Sequence, residues 1–167
     1  QAFIDEYLTV DISAKVKGIS QIEKPRVALS MNEVQMLVDT PCKDDVLKRA
    51  FLFSILTGLR HSDIKPLKWK QIQQTSKGTW QAVVVQQKTK KLDCKPVTAQ
   101  ALQLCGERPD DDERLVFEGL TDISWISHPL KEWIEVSGIK KHVTFHCGRH
   151  ITFSYSLKTR NLQRLLV

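Results

Sequence analysis

Between Asp44 and Thr57 the chain carries Val46, Leu47, Ala50, Phe51, Phe53, Ser54, Ile55 and Leu56. On a helix these residues cover most sides rather than one stripe, so the helix must be surrounded by other elements, at the centre of a core. Gly58 follows directly and stops it, because glycine takes the left-handed conformation that ends helices. The glycine turn then delivers Arg60, in Thr57-Gly58-Leu59-Arg60-His61-Ser62-Asp63-Ile64, from a buried scaffold to a concave surface. A charge mounted so rigidly suits a site better than a solvated surface does.

The flanking elements follow from their punctuation. Upstream, Ser30-Met31-Asn32-Glu33 has the form of a capping box and opens a helix whose Val34, Leu37 and Val38 share a face, ended before Pro41. Downstream, residues 62–67 suit a brief second helix with Pro66 behind it. Between Lys68 and Val97 the period becomes strand-like. Ile72 and its neighbours, a Ser76-Lys77-Gly78 turn, the run from Trp80 through Val83, Val84 and Val85 to Gln86, a basic turn, and Cys94 to Val97 predict a three-stranded antiparallel sheet. Residues 98–105 read as a helix and the acidic residues 107–113 as an exposed loop. A further helix with Leu130, Trp133, Ile134 and Val136 as apolar positions ends at Gly138, with Pro129 at its first position after a Ser127 or His128 cap. Thr144 caps a last helix. The fold class expected is mainly α with a small three-stranded antiparallel β-sheet, α+β. Residues 1–24, with a helical stretch from Phe3 to Leu8 and a linker around Lys15-Val16-Lys17-Gly18, read as the end of a preceding domain, and residues 25–167 as one folded unit.

A chain of 167 residues with 41% hydrophobic residues supports one real core. Its net charge of +6 is unevenly placed: residues 60–95 hold nine Lys/Arg against Asp63 and Asp93, and residues 106–122 hold seven Asp/Glu against two Arg. That asymmetry favours a nucleic-acid partner through counterion release, although a merely solvated lysine-rich face fits charge alone equally well. Cys42, Cys94, Cys105 and Cys147 lack paired spacing, which suggests reduced thiols rather than a zinc site or disulfides. No leader and no apolar run approaching the roughly 18–20 residues of a membrane span is present. A cytoplasmic protein, nucleoid-associated when on DNA, is the expectation.

Four side chains carry the chemistry: Arg60, Lys88 in Gln86-Gln87-Lys88-Thr89, and His146 and Arg149 in His146-Cys147-Gly148-Arg149-His150. Two guanidiniums, an amine and an imidazole, with no acidic metal cluster, suit a phosphodiester under attack because they neutralise developing phosphoryl charge without a metal ion. His146 and Arg149, three apart, share a helix face, whereas His150 lies one step round. By itself such a pair is more often an exposed polar stripe, and Lys88 can be one more solvated lysine beside Lys90, Lys91 and Lys95. The ordered combination is what distinguishes this chain. Thr-Gly-Leu-Arg with a carboxylate three residues after the arginine, a hairpin lysine, then Thr-Phe-His-x-x-Arg-His resembles the tyrosine recombinases, the phage-integrase family of DNA strand-exchange enzymes.

The resemblance implies roles residue by residue. Arg60 and Arg149 match the arginines that grip the non-bridging oxygens of the scissile phosphate, for which a planar guanidinium suits better than an ammonium. Lys88 matches the hairpin lysine that protonates the departing 5′ oxygen, and His146 the histidine that bonds the phosphate or assists proton transfer. Asp63 and His150 match supporting residues. Lys65, Lys68, Lys90 and Lys91 are candidates for flanking phosphates. The resemblance further implies double-stranded DNA as partner, other protomers in a synaptic tetramer, accessory DNA-bending or directionality proteins, and no cofactor, metal or membrane.

The family's nucleophilic tyrosine lies farther on than the 18 residues after Arg149 allow. Tyr7 is far upstream, and Tyr155, six residues past Arg149, falls about 240° round the same helix and reads as core. The expectation is therefore a catalytic domain incompletely represented at its C-terminus, inactive in cleavage as residues 1–167 alone. Arg149-His150-Ile151-Thr152-Phe153 also departs from the family's Arg-His-Thr-Phe by one residue, and residues 158–167 lack the glycine turn expected there. Rival readings are a type IB topoisomerase, a non-catalytic DNA-binding regulator that keeps the basic cleft, and a protein-binding helical domain.

Overall fold

The computed structural model describes residues 28–86 and 90–149. The apolar run forms α2 (Asp45–Thr57), which buries Leu47, Ala50, Phe51, Leu52, Phe53, Ser54, Ile55 and Thr57, so elements do surround it on most sides. The Asp44 carboxylate starts it by accepting the Leu47 N–H at 2.9 Å. Phe51 meets Trp133 and Phe145 edge-on, with centroids 5.9 and 5.4 Å apart, and Phe53 meets Phe117 at 5.2 Å. Each such aromatic pair contributes about 0.5–1.5 kcal/mol beyond area burial.

Helix α1 (Met31–Asp39) has the expected capping box: Ser30 Oγ accepts the Glu33 N–H and the Glu33 carboxylate accepts the Ser30 N–H. Its far end is closed by its neighbours, since Lys48 donates to the Val38 and Thr40 carbonyls and the Trp133 indole to Thr40. After α2, a shorter α3 (His61–Ile64) replaces the helix expected over 62–67. The chain then passes through a 3-10 turn (Trp69–Gln71) into β1 (Ile72–Gln74), β2 (Trp80–Val85) and β3 (Leu92–Val97), an antiparallel sheet in the order β1-β2-β3. Ala82 and Val84 point into the core, at the period of two a half-buried strand requires. β3 begins at Leu92 rather than Cys94, because Leu92 and Asp93 pair with Val85 and Val84. Helix α4 (Ala99–Cys105) follows, capped by the Thr98 hydroxyl.

Helix α5 (Ile123–Val136) corrects two expectations. It starts well before Ser127, so Pro129 lies in its interior instead of at its first position. Ile126 is as buried as Leu130, Trp133 and Ile134, and burying that extra turn outweighs the one backbone bond proline cannot make. Val136, two residues beyond Ile134 and off that face, is 71% exposed instead of apolar core.

The last described element, α6 (residues 145–149), is opened by Thr144, whose N–H donates to Cys147 Sγ at 3.3 Å. It lies directly on α2. A Cβ built on Gly148 would sit 3.4 Å from side-chain atoms of Phe51, Ser54 and Ile55, at the near edge of ordinary van der Waals contact, so the two helices lie close. The acidic stretch 107–113 is a loop, as expected, but it and the residues after it are strapped to the basic segment: the Lys70 N–H donates to the Asp112 carbonyl, the Trp69 N–H to the Arg114 carbonyl and the Val116 N–H to the Leu67 carbonyl. Among the described residues no helix is long and apolar enough to cross a membrane.

Candidate active site

The site begins where α2 stops. Gly58 takes φ 72°, and its N–H and the Thr57 hydroxyl donate to the Ser54 and Phe53 carbonyls, while the Ser54 hydroxyl donates to Leu59 O at 2.8 Å. The turn is thus held by the helix it terminates. Arg60 emerges with extended backbone, and its carbonyl accepts the Asp63 and Ile64 N–H groups that open α3. Its side chain reaches the sheet, where Nη1 donates to Gln86 Oε1 at 3.2 Å. On the other side, Asp63 Oδ2 is 3.9 Å from Nη1, an ion pair rather than a direct hydrogen bond, with the carboxylate only 2% exposed.

Arg149 approaches from α6. Burial lowers its pKa first and the positive charge of Arg60 lowers it further, opposed by Asp63 and Asp93. A guanidinium starts so far above neutrality that it stays charged. These mutual influences place the two arginines and the two carboxylates in one neighbourhood, assembled from the α2–α3 turn, α3, β3 and α6. Asp93 is held below the usual carboxylate range: burial pushes it up, but the Gln86 amide, Lys95 at 3.2 Å and the charge of Arg149 outweigh that.

The other expected residues fall as follows. His146 is exposed on α6, one turn before Arg149. Lys65 pairs with Asp122 at 2.5 Å, and Lys68 and Lys70 both pair with Glu113, at 3.0 and 2.6 Å. Lys90 and Lys91 are exposed at the β2–β3 turn, Lys90 with φ 55°. Lys88 and His150 lie outside the described residues, as do Tyr7, Tyr155, the stretch 1–24 and the last ten positions.

Three neighbours of the site were not anticipated. His61 holds its ring Nε2 3.0 Å from the Thr121 carbonyl and packs T-shaped on Phe145 with ring centroids 5.1 Å apart, joining the residue after Arg60 to the residue before His146. Burial lowers its pKa first, with Lys65 adding to that, so the ring is neutral at physiological pH. Gln86 and Asp93 are the other two. A signal for Asp93 did exist, since it and Asp63 are the two acids set among the nine cations of residues 60–95. Gln86 carried none, because an uncharged amide at a strand end is ordinary.

No curated protein matches the chain. Among solved structures, a lambda integrase dimer bound to a COC′ core site is similar with a TM-score of 0.69 at 18% identity, over 99% of this chain and 65% of that one. XerA recombinase is similar with a TM-score of 0.61 at 19% identity, over 90% of this chain and 55% of that one. XerH bound to a palindromic difH substrate, in a post-cleavage complex, is similar with a TM-score of 0.63 at 14% identity, over 90% and 48%. The chain therefore spans about half to two-thirds of those structures, and at these identities the likeness is one of fold, the tyrosine recombinase catalytic-domain fold. The description of the phage integrase family matches residues 28–163, which takes in every described element from α1 to α6. A match over so much of the chain, on a helical core with its three-stranded sheet, makes this protein a member of the phage integrase family.

Proposed function

We propose that this protein is the catalytic part of a site-specific DNA recombinase that cuts and rejoins strands through a 3′-phosphotyrosyl link, without metal or ATP. The observation that carries this reading is that Arg60 and Arg149, from elements far apart in the chain, feel each other's charge beside the buried carboxylate of Asp63. Two guanidiniums within reach of each other's charge repel unless an anion joins them. A phosphate with two non-bridging oxygens supplies one acceptor to each.

In the reaction the tyrosine oxygen bonds to phosphorus, the 3′ phosphate stays on the enzyme, and the bond to the 5′ oxygen breaks. Arg60 and Arg149 neutralise the oxygens as charge builds, and Lys88 delivers the proton that the leaving 5′ oxygen needs. His146 assists at the phosphate or at the nucleophile's proton, with Asp63 and His150 in support. The reverse attack by a 5′ hydroxyl of another strand reseals the backbone and releases the tyrosine. Residues 25–167 form the catalytic unit and residues 1–24 the end of a preceding domain, and no tyrosine among them is assigned as the nucleophile. The partners are double-stranded DNA, further protomers in a synaptic tetramer, and accessory bending or directionality proteins. Supporting the assembly, a lambda integrase tetramer bound to a Holliday junction has a similar fold.

The test is a nicked suicide duplex incubated with the full-length protein. A covalent protein–DNA adduct is expected, reduced by at least about 100-fold in Arg60→Ala, Lys88→Ala and Arg149→Ala, the scale of losing one preorganised charge partner. Variants that trap as much adduct as the parent would overturn these assignments.

A further inference from the structure

We infer that Gln86 and Asp93 are positioning residues that hold the Arg60 guanidinium in place for the phosphate. Gln86 closes the β2–β3 ladder: its N–H donates to Lys91 O at 2.9 Å and its carbonyl accepts the Lys90 N–H at 2.8 Å. Its side chain therefore projects from a fixed backbone position. The amide stands between two groups of opposite demand. A guanidinium can only donate and a carboxylate can only accept, so Oε1 must face Arg60 and Nε2 must face Asp93, which is the arrangement present. Glutamate at this position would set two carboxylates against each other, and leucine would bond neither.

Asp93 is itself anchored, pairing through register with Val84, which is buried, and through charge with Lys95 at 3.2 Å. It and Asp63 both bring carboxylate charge to Arg60, Asp93 from the sheet through the Gln86 amide and Asp63 from α3 at 3.9 Å. Without them, the Arg60 side chain would lose its partners in the absence of DNA. A carboxylate bonded directly and in bidentate fashion to Arg60 would occupy the donor fork that a phosphate needs. The neutral amide instead engages Nη1 and passes the negative charge behind it.

This inference rests on the strand-transfer reading, and its test separates the two. Full-length parent, Asp93→Asn, Gln86→Leu, the double variant and Asp93→Glu are compared on the nicked suicide duplex, single-turnover at saturating DNA, with Kd followed by fluorescence anisotropy. Each single change is expected to slow adduct formation by about 10-fold while Kd moves by less than about 2-fold, the mark of an arrangement felt in the reaction and not in binding. The double variant should be no slower than the worse single variant by more than about 2-fold, because the two residues act through one chain of contacts. Asp93→Glu should recover part of the rate. Single variants that react at the parent's rate, losses that multiply to about 100-fold in the double variant, or losses carried wholly by Kd would overturn the inference and leave strand transfer standing. A parent that forms no adduct would overturn the strand-transfer reading and this inference with it.

Discussion

Burial decides what individual side chains here can do. Arg149, half-buried beside Arg60, keeps its charge because its ordinary pKa is so high, and is constrained in direction rather than in protonation. Cys105, buried on α4 with its Sγ 3.4 Å from the Ala101 carbonyl, has its thiol pushed up to about 12 by desolvation. Only the thiolate is nucleophilic, so burial and protonation act together to silence it. Cys94, on the outer face of β3, is exposed. Maleimide labelling at pH 8 followed by peptide mass spectrometry should modify Cys94 within minutes, and Cys105 only after denaturation. Equal labelling rates in the native protein would contradict the packing of α4.

Among the elements, α1 shows how a local motif acquires a distant partner. Glu33 not only closes the capping box but also meets Lys141 at 2.7 Å, and Lys141 donates to the Ala28 carbonyl as well. Burial pushes the Glu33 carboxyl up, but the bonds from Lys141 and Ser30 outweigh it and the pKa is lowered. A depressed acid contributes stability above its unfolded value, near 4.5, and loses it as pH falls through the folded value. Thermal melts from pH 5 to pH 3 should therefore fall less steeply for Glu33→Gln than for the parent. Ser30→Ala should cost about 1 kcal/mol at neutral pH, a drop in Tm of a few degrees. Parallel pH profiles for parent and Glu33→Gln would show that Lys141 and the cap add nothing.

For the molecule as a whole, charge is distributed less simply than its linear order suggests. The basic and acidic segments fold onto each other, Glu113 between Lys68 and Lys70 and Asp122 on Lys65. Such exposed pairs are worth only about 0–1 kcal/mol each, so a phosphate backbone can displace them. Displacement still has a cost, and Glu113→Gln should tighten binding to duplex DNA several-fold at low salt, with the gain shrinking as salt rises. Anisotropy titrations across a KCl series check this. Weaker or unchanged binding by the variant would mean that Lys68 and Lys70 do not face DNA.

The capping box at Ser30, the stop at Gly58 and the strand-like run through Val83 to Val85 were legible because each depends on hydrogen bonds or burial among sequence neighbours. Pro129 was misread for the converse reason: proline punctuates locally, but Ile126 is buried against distant residues, and that burial sets where α5 begins. The order of Arg60, Asp63, His146 and Arg149 was written in the chain and pointed to the family. The neighbourhood of Arg60, Asp63 and Arg149 was not, since it depends on α6 settling onto α2 through the Phe51–Phe145 contact and the close approach at Gly148. Gln86 is the extreme case, an uncharged strand-end residue whose importance exists only once Arg60 and Asp93 lie on either side of it. The sequence by itself determined the elements, the core helix and the kinds of charge available, because turns and helices are built from residues close along the chain. Tertiary structure alone decided which charges meet, because that follows from which apolar faces pack together, and packing pairs residues without regard to their separation in sequence.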